Sequence, residues 1–99
     1  MVKFKLTNKA VKDLAEIWDY TMETWSEKQA DNYYQILISN CQKIADNPYL
    51  GRNYEGITKN LRGLKVNRHV IFYRTLQKDN IEVTRILHER MDLKKRITK

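Results

Sequence analysis

Between positions 55 and 88 the chain carries the side-chain types that acid–base cleavage of a phosphodiester requires. Arg62, Arg68 and Arg85 are guanidinium groups able to grip phosphate bidentately. His69 or His88 can move a proton near neutral pH, and Glu55 or Glu82 can serve as a base. Cleaving RNA through its own 2′-hydroxyl needs those three functions together: a base, cations on the phosphate, and an acid for the leaving oxygen. The spacing argues against convergence. Arg85 lies three residues before His88, so on an extended strand the two side chains leave on opposite faces; a bend at the strand end would relax that objection. Because geometry comes before pKa in naming a base, no catalytic residue is assigned and the segment is read as a contact surface.

Each of these side chains also has a structural use. His88, ending an apolar run, is well placed to hydrogen-bond the turn that follows through Glu89 or Asp92. His69 reads as a packed strand residue. Arg85 inside an apolar strand needs a carboxylate, and Asp13, Glu16 and Asp92 are the internal choices, with a partner's carboxylate as the external one. Trp18, Trp25, Tyr33 and Tyr34 fall at helical spacing and are expected mostly in the core. The single cysteine, Cys41, sits in an apolar stripe as an inert side chain, and it leaves no internal disulfide and no multi-thiolate metal site. No metal or cofactor is expected.

The net charge of +7 is unevenly distributed. Residues 1–58 hold seven Lys/Arg against eight Asp/Glu, whereas residues 59–99 hold twelve against four, a net of +8. Such asymmetry suits an acidic partner, either nucleic acid or an acidic protein, over and above what solubility needs. At 99 residues the chain is expected to be one domain, residues 1–99. No apolar run has the roughly 20 residues of a membrane span, and the opening residues do not read as a secretory signal, so a cytoplasmic protein without membrane contact is expected.

The elements that must position these residues are legible from period. Val2–Leu6 alternates apolar and basic side chains as an edge strand does. Thr7 or Asn8 can cap a helix with apolar positions Ala10, Val11, Leu14, Ile17, Trp18 and Met22. Ser26 and Gln29 have capping-box spacing and open a second helix, with a stripe from Ala30 to Ala45, which Asn47-Pro48 ends. A loop, 49–60, precedes three strand-like runs, 61–66, 68–74 and 81–88, separated by turn signals at Asn67 and Asp79-Asn80. The fold expected is α+β: an N-terminal strand and an antiparallel two-helix hairpin packed on one face of a mainly antiparallel sheet, with a short basic C-terminal tail. Val70-Ile71-Phe72-Tyr73 and Ile86-Leu87 do not alternate, so both sheet faces should be apolar there, and the face away from the helices is expected to need a covering partner.

The string Arg68-His69-Val70-Ile71-Phe72-Tyr73-Arg74, followed by Ile81 and by Arg85-Ile86-Leu87-His88-Glu89-Arg90-Met91-Asp92, resembles the signature of ParE toxins in the RelE/ParE superfamily of toxin–antitoxin systems. Upstream, Thr7, Ala10, Asp13-Leu14, Ile17, Tyr20, Gln29-Ala30, Tyr33, Asn47-Pro48 and Gly51-Arg52 are similar to the family's helices and loop, so the likeness spans nearly the whole chain. The resemblance implies a bacterial toxin of stress response or plasmid maintenance. It would trap the cleaved-DNA complex of DNA gyrase or a related type II topoisomerase, without being a nuclease, and would be silenced in a hetero-oligomer by a cognate, ParD-like antitoxin whose disordered C-terminal segment orders on binding. The other branch of the superfamily implies a RelE-like ribosome-dependent mRNA endonuclease, and a relative that binds antitoxin without toxicity is the third alternative. The endonuclease branch ends its last strand in a basic and aromatic cluster, where this chain has Ile86-Leu87-His88. On this reading Arg85, His88, Arg90, Met91 and Asp92 meet the target, with Lys94, Lys95 and Arg96 as an auxiliary basic tail, and Val70, Phe72, Tyr73 and Arg74 meet the antitoxin.

Overall fold

Alternation near the N-terminus and β-branched runs near the C-terminus make strands that meet in one sheet, although most of the chain separates them. The computed structural model describes residues 3–77 and 80–98, with the side chains of Lys94 and Thr98 outside that description. Strand β1 (Phe4–Leu6) leads into α1 (Asn8–Thr24), where the Thr7 hydroxyl accepts from the Ala10 amide at 3.1 Å. Ser26 caps α2 (Glu27–Asp46) in the same way, accepting from Gln29 N–H at 3.1 Å. Each cap satisfies an amide that the first helical turn leaves without a partner.

Beyond α2 come β2 (Arg52–Asn53), β3 (Arg62–Val66), β4 (His69–Thr75), β5 (Ile81–His88) and a short α3 (Leu93–Thr98). The two-residue β2 forms within the segment expected to be loop. The sheet order is β1-β5-β4-β3-β2; β1 runs parallel to β5 and the remaining pairs are antiparallel. Asn67 makes the tight β3–β4 turn with φ of 54°, a left-handed conformation that asparagine tolerates. Val2 and Asp79, expected in strand and turn, lie outside the described residues.

The helical hairpin covers one face of the sheet. Leu14, Leu37, Cys41 and Ile44 pack there on Ile71, Tyr73, Ile81, Val83 and Ile86, all buried. Burying each large side chain contributes about 1.5–3 kcal/mol before entropy is counted. Val83 and Ile86 share this face although they are three apart, which strict alternation forbids. A register slip resolves it: Tyr73 pairs with Val83 but Phe72 pairs with Arg85, leaving Thr84 as an extra residue in β5.

The opposite face is not bare, which corrects the expectation of an uncovered apolar surface. Val70, Phe72, Leu61 and Leu87 form a second buried cluster, closed by Tyr54 and Ile57 of the loop and by Leu93 and Ile97 of α3. Tyr54 meets Phe72 edge-on, with ring centroids 5.1 Å apart. Its ring can lie this low because Gly63 is beneath it; a Cβ there would stand 2.8 Å from the ring. The basic tail is thus partly architecture: at the sequence level α3 looks polar, yet its two aliphatic side chains, four apart, share one helical face.

Of the residues expected to meet the antitoxin, Val70 and Phe72 are therefore covered by the chain itself. Tyr73 is buried on the helix side, where its hydroxyl donates to the Pro48 carbonyl at 2.6 Å and accepts from Gly51 N–H at 2.8 Å. Only Arg74 is exposed, and its Nε donates to Glu82 at 2.8 Å.

Candidate functional site

Beyond Leu6 the chain turns away into α1, so among the described residues β5 has no strand neighbour on that side from Thr84 to His88. Its edge is completed by side chains. The Thr7 hydroxyl donates to the Thr84 carbonyl at 2.8 Å, and the Ile86 amide donates to Asp13 Oδ2 at 3.0 Å. Asp13, from the buried stripe of α1, is 7% exposed. It also accepts from Arg85, Nε to Oδ2 at 2.8 Å and Nη2 to Oδ1 at 3.0 Å, a bidentate pair. The third guanidinium nitrogen, Nη1, donates to the Arg96 carbonyl of α3 at 3.1 Å. The hydrogen bond to Asp13 is the main reason the Arg85 pKa lies above the ordinary arginine value. Asp13 is thus Arg85's internal carboxylate, and the guanidinium joins α1, β5 and α3.

Next to this corner is a cleft of about 340 Å³, lined by α1 from Asp13 to Tyr20, by Arg85 to His88, and by Met91 and Arg96. Arg85 and His88 both face it even though the pairing puts them on opposite sides of the sheet. Arg85 pairs with Phe72 of the far-face cluster and reaches Asp13 around the free edge of β5, while His88 pairs with His69 on the helix side. The objection drawn from spacing fails here because an edge strand, unlike a central one, lets a long side chain wrap around it.

The two histidines form the floor of the cleft. Their rings meet edge to face with centroids 5.3 Å apart. The Tyr33 hydroxyl is 2.6 Å from His69 Nδ1 and also 3.3 Å from the Val66 carbonyl. Burial holds the Tyr33 phenol above its ordinary pKa. Burial, and secondarily the charge of His88, lowers the His69 pKa to about 4, with Glu89 acting in the opposite direction. His69 is therefore neutral at pH 7. His88 Nδ1 accepts from the Arg90 amide at 3.1 Å, so it does hold the following turn, through backbone and not through the carboxylates of Glu89 or Asp92.

The remaining candidates divide sharply. Arg90 and Met91 are exposed in the turn, Met91 by 39% and at the cleft mouth. Asp92 accepts from the Lys95 amide at 3.1 Å and so caps α3. Lys95 and Arg96 are exposed on that helix, while Lys94's side chain and Lys99 lie outside the described residues. Arg62 donates to the Gly51 carbonyl at 2.9 Å and stacks over Tyr49, beside Glu55 in a separate cavity. Arg62 lies four residues along β3 from Val66, the partner of His69, which is roughly 13 Å of strand. Glu82 is paired with Arg74 and Lys5. Arg62 and the carboxylates expected as base, Glu55 and Glu82, thus stand apart from the cleft that Arg85, His69 and His88 line, while Arg68 lines the adjoining groove with both histidines.

Several exposed aromatics were not visible from periodicity. A second groove, of about 570 Å³, opens beside the first and shares Tyr20, His69 and His88 with it. Trp25, expected in the core, is 69% exposed on its rim, and Tyr20 is 68% exposed. Tyr34 and Met22 are exposed as well, while Trp18 is half-buried with its indole N–H on Asp31 at 3.0 Å. The missed signal was position: Tyr20 lies in the last turns of α1 and Trp25 is its C-cap, beside the β3–β4 turn. Among the described residues no cluster of His, Cys, Asp and Glu could hold a metal ion, and no helix is long and apolar enough to cross a membrane.

Residues 4–93 match the family model described as the ParE toxin of the type II toxin–antitoxin system parDE. A protein named Toxin ParE1 from Mycobacterium tuberculosis is 36% identical over 91 residues, 92% of this chain and 93% of its own length. Toxin ParE1 from Caulobacter vibrioides is 32% identical over 92 residues, covering 93% and 94%. A solved structure titled "Chromosomal ParDE TA system from P. aeruginosa" superposes with a TM-score of 0.75 at 23% identity, over 89% of this chain and 96% of that one, and shares the fold.

Proposed function

The chain belongs to the ParE toxin family of type II toxin–antitoxin systems, and from that premise we propose that it acts by contact, poisoning DNA gyrase by trapping its cleaved-DNA complex, until a cognate antitoxin binds it. The observation that carries this reading is the division of labour at the end of β5. Arg85 is committed on all three nitrogens, and His69 is neutral and hydrogen-bonded to Tyr33. Among the groups left to meet a partner are the exposed Arg90 and Met91, in the turn that the His88 hydrogen bond to the Arg90 amide holds. With Arg85 and His69 so engaged, a surface of preset shape suits binding better than proton transfer. Arg85, His88 and Asp92 serve in this reading as the frame, and Arg90, Met91, Lys95 and Arg96 as the contact. The antitoxin is proposed to present an acidic C-terminal segment to the +8 half of the chain.

The test is purified protein with gyrase and supercoiled DNA, run beside a translation reaction scored for mRNA cleavage. Linear DNA that appears after denaturing the gyrase complex, and that Arg90→Glu reduces, supports the proposal. Cleaved mRNA without cleaved DNA would replace it with the endonuclease reading. Inactivity in both assays would leave a relative that binds antitoxin without being toxic.

A further inference from the structure

The second groove has a composition unlike the rest of the surface. Five rings line it: Tyr20, Trp25, Tyr33, His69 and His88. His69 is in contact with Tyr33 on one side, with centroids 5.5 Å apart, and with His88 on the other, at 5.3 Å, so the three rings run in a continuous row. Tyr20 and Trp25 stand exposed at the rim. Three primary amides, Gln29, Asn32 and Asn67, the guanidinium of Arg68, Thr21 and one aliphatic side chain, Ile36, complete the lining. None of the described residues lining it is acidic, in a chain with 12 Asp and Glu.

Such a set is poorly suited to a basic or purely aliphatic partner. An unpaired base presents a π-face to stack on an aromatic ring and a mixed donor–acceptor edge that side-chain amides can read, and its phosphate takes a guanidinium. A paired base hides both its faces and its edge, so the groove should discriminate single strand from duplex. At about 570 Å³ it has room for a base with its sugar.

We infer that this groove is a binding site for an unpaired nucleotide of single-stranded DNA, with the base stacked on Trp25 and the phosphate on Arg68. The choice of DNA rests on the topoisomerase reading above, in which the target carries cleaved strands, and the site would let the toxin engage the nucleic acid as well as the enzyme. The stacking test itself needs no topoisomerase, so the two readings can fail separately.

The experiment measures anisotropy of a labelled oligothymidylate against the purified toxin, with a duplex and an oligouridylate of equal length as competitors. In a Trp18→Phe background, Trp25 fluorescence should be quenched in proportion to occupancy. Trp25→Ala should weaken binding about tenfold while Trp25→Phe, which keeps a ring, restores most of it. Arg68→Ala should lower the salt dependence by about one phosphate contact. Absence of binding, binding indifferent to Trp25→Ala, or equal or tighter binding of duplex or RNA would overturn the assignment.

Discussion

The Asp13–Arg85 corner and the Trp25 groove share two histidines and a tyrosine between their clefts, yet they manage polar groups in opposite ways. At the corner three N–H groups converge on one carboxylate and the remaining guanidinium nitrogen is capped by a helix carbonyl. In the groove, rings, amides and a cation face solvent. An arginine that belongs to the most recognisable string in the chain is thus a structural brace, while the free surface is made from residues whose spacing reads as core. Chemistry-bearing residue types do not announce which of them will be free to meet a partner; the partners already supplied by the fold decide that.

The largest effect expected from breaking this contrast is at the corner. Arg85→Ala leaves Asp13 buried and unpaired, and Asp13→Ala strands the guanidinium and the Ile86 amide. Each should lower stability by about 3–5 kcal/mol, read from denaturant midpoints. The double variant should cost less than the sum of the two, as groups in one network do. Additive losses would show that the pair is not coupled.

Removing the chain after Leu93 comes next. Read from sequence, that truncation trims a solvated tail and weakens toxicity while sparing antitoxin binding; with Ile97 and the Arg96 carbonyl in place, it should also uncover Phe72 and Val70. A fall in melting temperature with increased binding of an apolar dye is expected, and an unchanged melting temperature would return α3 to the status of a tail. Ile97→Ala, a milder version, should cost about 1–2 kcal/mol because the side chain is only half-buried.

The shared floor gives a pH signature. The folded-state His69 pKa of about 4 lies below its ordinary 6.5, so on acidification the unfolded chain takes up this proton first. The contribution of neutral His69 is complete above about pH 6.5, is lost as the pH falls toward 4, and levels off below that. Imidazole NMR titration should place the His69 midpoint well below its ordinary 6.5, and an ordinary midpoint for His69 would contradict the buried Tyr33–His69 contact.

The smallest stability effects belong to the groove: Tyr20→Ala and Trp25→Ala should stay within about 0.5 kcal/mol of the parent because both side chains are mostly exposed. A large loss at either would mean that the ring supports the fold. Cys41, whose thiol burial raises to about 12, should resist alkylation until the protein unfolds.

Much of this architecture was legible before folding was considered. Caps at Thr7 and Ser26, the helical stripes, the stop at Asn47-Pro48, the turn at Asn67 and the strands from Leu61 onward are local: each depends on residues within one or two turns or on a strict period. The family, too, is written in the order of residues along most of the chain. What required the tertiary structure was every question of who faces whom. Asp13 and Arg85 are 72 residues apart, and only the early departure of β1 leaves the edge around which they meet. The cover on Phe72 comes from a glycine, a loop tyrosine and two aliphatics in a basic helix, none of which has a period to read. Sequence pattern thus determined the elements and the lineage. Burial, a non-local property of the packed chain, decided which residues became frame and which became surface.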